Sequence, residues 1–175
     1  MEYQKIMESF AGLAEQWKIR MNGCVILQGE KILLLYRVGS RVVAPSFCGV
    51  GGHFEPDELC DARACVLREM REEIGLGEDD LIDMRMRYVT LRLKNGEIRE
   101  NYYFFAQLKP GVEITESCGE GRLEWADMRS VLDRKMPHTA WYMLEHYLRE
   151  GRHTDLLYGG VTTQQGVVFT PMQEF

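Results

Sequence analysis

The feature that most constrains this chain is a nine-residue segment, Arg-Glu-Met-Arg-Glu-Glu-Ile-Gly-Leu, at positions 68–76. On a helix, Glu69, Glu72 and Glu73 are spaced i, i+3 and i+4, so the three carboxylates share one face. Glu69 and Glu73 are like charges four residues apart, which costs an isolated helix about 0.2–0.5 kcal/mol. The common alternative is a solvated charged face. Clustered carboxylate oxygens, however, also suit a hard cation such as Mg²⁺.

The residues before this segment favour the cation site. Residues 49–58 read Gly-Val-Gly-Gly-His-Phe-Glu-Pro-Asp-Glu, and glycines permit close approach of the backbone to a ligand. Pro56 predicts a helix start there, and Gly75 predicts its end. Apolar residues recur between these points at helical spacing: Leu59, Ala62, Val66, Met70 and Ile74. A glycine loop followed by a helix with clustered carboxylates indicates a site for phosphate and metal.

Residues 52–76 resemble the Nudix box, the signature of the Nudix hydrolases. That pattern is Gly, five residues, Glu, seven residues, then Arg-Glu-hydrophobic-any-Glu-Glu-any-Gly-hydrophobic. Gly52 and Glu58 match its first half, and residues 68–76 match every fixed position of its second half. The general likeness is to the MutT-like branch of the family.

One departure from the pattern lies between its two halves. Residues 59–67 are nine residues, whereas the pattern has seven between Glu58 and Arg68. Because the apolar period from Ala62 onward is unbroken, we place the two extra residues before the helix or in its first turn. In the family this Glu typically pairs with the Arg. Two extra residues are enough to break this bond unless the loop bulges to absorb them, so we expect Glu58 to contribute less than the pattern suggests.

The resemblance implies a metal site and its ligands. It assigns Mg²⁺, with Mn²⁺ as the alternative, to the carboxylates of Glu69, Glu72 and Glu73 and to the carbonyl of Gly51. A further acidic ligand is expected from a later loop, and Glu120 in Gly-Glu-Gly is the candidate. The competing residues are Glu116 and Glu124, and each of the three has a solvated loop charge as its alternative.

The same resemblance suggests residues for chemistry and substrate binding. Arg68 joins Glu69, Glu72, Glu73 and Glu120 as a candidate catalytic residue, and either Glu69 or Glu120 is the expected proton acceptor. The candidate substrate-binding residues are Arg37, Phe47, Gly51 and Gly52. Arg suits bidentate contact with phosphate, with surface solvation as its equal alternative. An outward Phe suits stacking on a nucleobase.

The predicted elements fit the family's α/β fold, an α/β/α sandwich with a mixed, partly antiparallel sheet. Paired strands are predicted at 20–28 and 31–38, and again at 84–93 and 97–108, where Asn95-Gly96 is a strong hairpin signal. A strand at 122–125 and a helix at 137–149 follow. We expect an N-terminal helix over 1–18 that packs on the domain, a Nudix hydrolase domain over 19–150, and a β-hairpin-like extension over 151–175.

Composition restricts the compartment and the partners. A formal net charge of −6 argues against binding to a nucleic-acid duplex, which requires a basic face. Five cysteines without a Cys-x-x-Cys pair indicate reduced thiols. No signal peptide and no apolar run of membrane-spanning length is found. We expect a cytoplasmic monomer or homodimer that makes no contact with a membrane.

The expected reaction is Mg²⁺-dependent hydrolysis of a nucleoside diphosphate linked to a further group. Family marks for ADP-ribose or dinucleoside polyphosphate substrates would fall at residues 92–94, which are Arg-Leu-Lys and carry neither mark. By elimination, a nucleoside triphosphate such as oxidised dGTP is favoured, with the monophosphate and pyrophosphate as products. The alternatives are a non-catalytic nucleotide-sensing domain and a hydrolase of a nucleotide sugar or other dinucleotide.

Overall fold

A nine-stranded mixed sheet with one helix on each face organises residues 20–38, 44–114, 117–119 and 121–174, the part of the chain that this computed structural model describes. The strands are β1 (Arg20–Gln28), β2 (Lys31–Arg37), β3 (Ser46–Cys48), β4 (Leu81–Lys94), β5 (Glu97–Leu108), β6 (Ser117–Cys118), β7 (Gly121–Asp127), β8 (Leu157–Thr163) and β9 (Gly166–Met172). The helices are α1 (Ala62–Ile74) and α2 (His138–Arg149). Single 3₁₀ turns lie at Pro56–Glu58, Glu78–Asp80, Val131–Asp133 and Gly151–His153.

The strand order is β6-β7-β2-β1-β5-β4-β8-β9, and β3 pairs with β2 beside this path. Only two pairs among the described strands are parallel, β1 with β5 and β4 with β8. The turn of the β4–β5 hairpin has positive φ at Asn95 (54°) and Gly96 (80°), which fits the right-handed twist of the flanking strands. The predicted hairpins and the mixed α/β/α sandwich are therefore confirmed.

Alternating side chains of the central strands supply a separate core on each face of the sheet. One core lies under α1 and the other under α2. On the α1 face, Cys24, Ile26, Leu33, Leu35 and Phe104 pack against Val66 and Met70. On the α2 face, Val25, Leu27, Ile32, Leu34 and Phe105 pack against Met143 and Leu144. This alternation determines which side chains of β2 and β7 face the carboxylates of α1.

The boundaries of α1 differ from the prediction at one end. The helix begins at Ala62, where the Asp61 side chain caps it by accepting the N–H of Ala64 at 2.9 Å. A start at Pro56 was wrong, because Pro56–Glu58 form a separate 3₁₀ turn before the helix. The predicted end is confirmed, since Gly75 adopts the left-handed conformation (φ 72°) and donates its N–H to the last turn.

The C-terminal strands belong to the same sheet as the rest of the described chain. β8 pairs in parallel with β4, and β9 pairs with β8 at the sheet edge. The helix predicted for residues 1–18 lies outside the described residues. No helix in the described ranges has the length and apolar content needed to cross a membrane.

Candidate active site

The glycine loop that precedes α1 is held against β1. The N–H of Asn22 donates to the carbonyl of Gly52 at 2.9 Å, and that of Cys24 donates to Val50 at 2.7 Å. Gly51 lies between these bonds with φ at 150°, and a Cβ there would overlap the carbonyl oxygen of Asn22. Position 51 therefore requires glycine. The two backbone bonds and this close contact fix the distance between the loop and β1.

Three sequence-predicted residues meet at the end of α1. The Glu73 carboxylate is buried, and its Oε2 accepts the N–H of Gly51 at 2.9 Å. Its Oε1 is 2.7 Å from Nη2 of Arg37, and the same nitrogen donates to the carbonyl of Gly51 at 2.6 Å. The Gly51 carbonyl and Glu73 thus share one cationic partner, which β2 supplies from the α1 face of the sheet.

Glu69 and Glu72 differ sharply in exposure. Glu69 lies against Gly52, where a Cβ would stand 2.5 Å from Oε1 of this carboxylate, so the second glycine makes room for it. The Glu72 side chain is 59% exposed and faces solvent. Both carboxylates also accept from Nη1 of Arg68, at 3.0 Å for Glu69 and 3.1 Å for Glu72. The three carboxylates of the box therefore range from buried to solvated.

Arg68 is paired with Glu58, so the insertion is absorbed and the reason for expecting a smaller contribution from Glu58 was wrong. Nε of Arg68 donates to Oε1 of Glu58 at 2.7 Å, and Nη2 donates to Oε2 at 2.9 Å, a bidentate geometry. These bonds lower the pKa of Glu58 to about 2 and raise the pKa of Arg68. Arg68 contacts Glu58, Glu69 and Glu72 together, which makes it a positioning residue for these carboxylates.

The two extra residues of the box are accommodated before the helix. The 3₁₀ turn carries Glu58, whose Oε2 also accepts the N–H of Glu55 at 2.9 Å. The N–H of Asp61 donates to the carbonyl of Glu58 at 2.8 Å, which closes the turn into α1. Nη2 of Arg68 reaches the carbonyl of His53 at 3.1 Å as well. The insertion therefore bulges away, and the carboxylate keeps its distance to the guanidinium.

Asn22 is a residue of this region that the sequence analysis missed. It is buried in β1, and its Nδ2 donates to the carbonyl of Ala62 at 2.9 Å, which attaches the start of α1 to the sheet. The only signal was an amide inside a strand, Arg-Met-Asn-Gly-Cys-Val-Ile-Leu-Gln, whose other polar side chains are at its two ends. No motif spacing connects this position with the helix 40 residues later.

Two of the candidates lie on the other face of the sheet. Phe47 packs in the α2-side core, with its ring centroid 4.8 Å from that of Tyr36 and the guanidinium of Arg134 above it at 5.4 Å. Glu124 is opposite Leu34 in the register and is ion-paired with Arg134. Its carboxylate faces away from α1, which removes it as a competitor for the metal. Glu116 and Glu120 lie outside the described residues.

A family model for the NUDIX domain matches residues 19–147, well over half of the chain. The chain belongs to the Nudix family. It is accordingly a pyrophosphohydrolase of the Nudix type, a class that acts on nucleoside diphosphate derivatives and generally uses a divalent metal, usually Mg²⁺. No curated protein matches the chain in sequence.

Solved structures of Nudix proteins share the fold. A MutT protein from Bacillus halodurans is 22% identical, with 89% of this chain and 99% of that protein covered and a TM-score of 0.62. An Ap4A hydrolase from C. elegans is 16% identical, with coverage of 78% and 99% and a TM-score of 0.59. A bifunctional NMN adenylyltransferase/ADP-ribose pyrophosphatase from Francisella tularensis is 14% identical, with coverage of 84% and 46% and a TM-score of 0.58.

The residues present fit the divalent metal of a Nudix enzyme. The Gly51 carbonyl and the Glu73 carboxylate are hard oxygen donors that already share a cationic partner, the Arg37 guanidinium. Glu69 is adjacent through the Gly52 contact. Within the described ranges, no three His, Cys, Asp or Glu side chains are grouped closely enough to form a preformed site.

Proposed function

We propose that the protein hydrolyses a nucleoside triphosphate to the monophosphate and pyrophosphate, and that oxidised dGTP is the first substrate to test. The observation that carries this proposal is the convergence of the Gly51 carbonyl, Glu73 and Arg37 at one cationic position beside Glu69. A position built from hard oxygens and a guanidinium suits a metal-bound polyphosphate. The choice of triphosphate rests on residues 92–94, which carry neither the ADP-ribose nor the dinucleoside polyphosphate mark of the family.

Each side chain of the site has a separate role in the proposed reaction. Glu69, Glu72, Glu73 and the Gly51 carbonyl would hold the divalent metal, which would supply charge neutralisation and a lower pKa for the attacking water. Arg37 binds a phosphate oxygen of the substrate and offsets the negative charge that develops on the departing phosphate group. Either Glu69 or Glu120 accepts the proton of the water. Arg68 orients Glu69 and Glu72 through the bonds already described, which keeps the carboxylates preorganised.

Substrate choice is tested by a hydrolysis screen with product identification. The set contains the ordinary and oxidised deoxynucleoside triphosphates, Ap4A, ADP-ribose and nucleotide sugars, which cover the activities named for the structural neighbours. Products formed in ¹⁸O-labelled water identify the phosphorus that is attacked. Preference for Ap4A or ADP-ribose would replace the triphosphate proposal. Binding without turnover on any of them would favour the nucleotide-sensing alternative, in which the box carboxylates serve only for binding.

Activity is expected to depend fully on Mg²⁺ or Mn²⁺ and to rise towards alkaline pH. The carboxylate cluster requires a counter-cation next to an anionic substrate, and the attacking water must lose a proton. Turnover in excess EDTA, with and without added Mg²⁺, is the measurement across a pH series. Undiminished turnover in EDTA would contradict the proposed metal site.

Glu120→Gln is expected to lower kcat by about tenfold or more, whereas Glu124→Gln should leave kcat nearly unchanged. Glu120 is proposed as the additional metal ligand or base, while Glu124 faces the α2 side and is paired with Arg134. Glu124→Gln is therefore a matched control for the loss of one carboxylate in this part of the chain. Equal effects of the two substitutions would argue against Glu120 as a ligand.

A further inference from the structure

Arg37 occupies the position at which a cation would contact both Gly51 and Glu73. Its Nη2 is 2.6 Å from the Gly51 carbonyl oxygen and 2.7 Å from Oε1 of Glu73. The Glu73 side chain is only 4% exposed, and a buried carboxylate needs a counter-charge close by. The guanidinium of Arg37 supplies a counter-charge at this position.

We propose that Arg37 and the divalent cation compete for this position, so that cation binding transfers Arg37 from Glu73 to the phosphate chain of the substrate. The inference rests on the metal ligands of the proposed function. It adds a second role for one residue: in the metal-free protein Arg37 stabilises Glu73, and in the loaded protein it positions substrate.

The Arg37 guanidinium and a divalent cation cannot both contact the Gly51 and Glu73 oxygens, for reasons of distance and charge. Mg²⁺ holds its oxygen ligands at about 2.0–2.1 Å, so an ion shared by the Gly51 and Glu73 oxygens would fill the space that Nη2 now occupies. Two positive groups at that separation also repel strongly in a poorly hydrated site. The N–H of Gly51 still donates to the other Glu73 oxygen at 2.9 Å, so the carboxylate keeps its orientation when Arg37 leaves.

The released side chain has a direction in which to move. The Arg37 side chain is 30% exposed and stands at the last residue of β2, so its stem can rotate outward while the strand remains paired. A planar guanidinium binds phosphate oxygens in bidentate fashion and suits the substrate in that outward position. Metal binding and phosphate binding by Arg37 would then be coupled in one step.

The decisive experiment measures metal binding without nucleotide. Arg37→Met keeps an unbranched stem and removes the competing charge, so Mn²⁺ affinity, followed by electron paramagnetic resonance and by calorimetry, should rise about tenfold. In EDTA the thermal midpoint of Arg37→Met should fall, because Glu73 loses its bond with Arg37, and added Mg²⁺ should return the midpoint to that of the wild type. Arg122→Met is the control, since Arg122 is exposed and its side chain lies on the opposite face of the sheet. Its Mn²⁺ affinity should change by less than about twofold.

Unchanged or weaker Mn²⁺ binding by folded Arg37→Met would overturn the competition. If that variant does not fold, the wild-type protein gives the answer by nuclear magnetic resonance. The Nε–Hε signal of Arg37, assigned through Arg37→Lys, should shift when Mg²⁺ is added, and an unmoved signal would overturn the proposal. Neither measurement uses turnover, so absence of hydrolysis would count against the proposed function and leave this result standing.

Discussion

Glu73→Gln and Glu72→Gln are each expected to lower kcat by about 100-fold or more, because each removes a charged ligand from the proposed metal site at nearly constant volume. Their effects on stability should differ. Glu73 is buried between Arg37 and the N–H of Gly51, so its replacement weakens charge-assisted bonds worth about 1.5–3 kcal/mol in EDTA. Glu72 is largely exposed, so its replacement should change the free energy of unfolding by about 0.5 kcal/mol at most.

The measurement pairs single-turnover kinetics with urea denaturation in EDTA for both variants. Glu145→Gln is a matched control, since Glu145 is also a helical glutamate paired with an arginine, Arg149, but lies on α2. It should keep the wild-type kcat. Near-wild-type rates for Glu72→Gln and Glu73→Gln in folded protein would contradict the metal-centred site and favour the nucleotide-sensing alternative.

Local sequence signals were sufficient for most of the fold. The hairpin at Asn95-Gly96 and the end of α1 at Gly75 depend on residues that tolerate positive φ, which is a property of the residue itself. The carboxylates of α1 could be placed on one face because helical spacing alone determines it. The hairpin and the helix end need no knowledge of distant contacts, and the structure confirms both.

Predictions that depended on tertiary contacts were less complete. The true start of α1 is determined by the Asp61 cap, which competes with the equally plausible signal of Pro56. The contact of Arg37 with Glu73 joins residues 36 positions apart, and no local pattern encodes it. The face on which Phe47 lies follows from the pairing of β3 with β2, which the sequence analysis did not predict.

The Glu58–Arg68 pair shows why counting residues was misleading. The expected smaller contribution of Glu58 assumed that the two extra residues displace it relative to the helix, with a bulge as the exception. The turn instead bulges, and the bidentate ion pair favours this form because it satisfies the guanidinium of Arg68 on α1. The ion pair therefore keeps the Glu58 carboxylate and the Arg68 guanidinium together, although the chain between them is longer here than in the pattern of the box.

Glu58→Gln is accordingly expected to lower the free energy of unfolding by about 2–4 kcal/mol at neutral pH and to lower kcat by more than about tenfold. The Glu58 side chain is only 10% exposed, and without its charge Arg68 loses its anchor and no longer orients Glu69. Glu78→Gln is the matched control. Glu78 pairs at 2.7 Å with Arg63, which lies on α1 as Arg68 does, but Glu78 is well exposed. Its cost should be below about 1 kcal/mol.

The pH dependence of stability separates the ion pair from simple packing at Glu58. Its pKa is lowered from an ordinary 4.5 to about 2 by the bonds from Arg68, so the folded protein binds this proton less readily than the unfolded chain. The stabilisation is therefore fully present above pH 4.5 and is lost as the pH falls towards 2. Urea denaturation from pH 7 to pH 2.5 should show the difference between wild type and Glu58→Gln shrinking over that interval. A difference in the free energy of unfolding that stays constant with pH would mean that Glu58 acts through packing. The orientation of Arg68 would then not depend on the charge of Glu58.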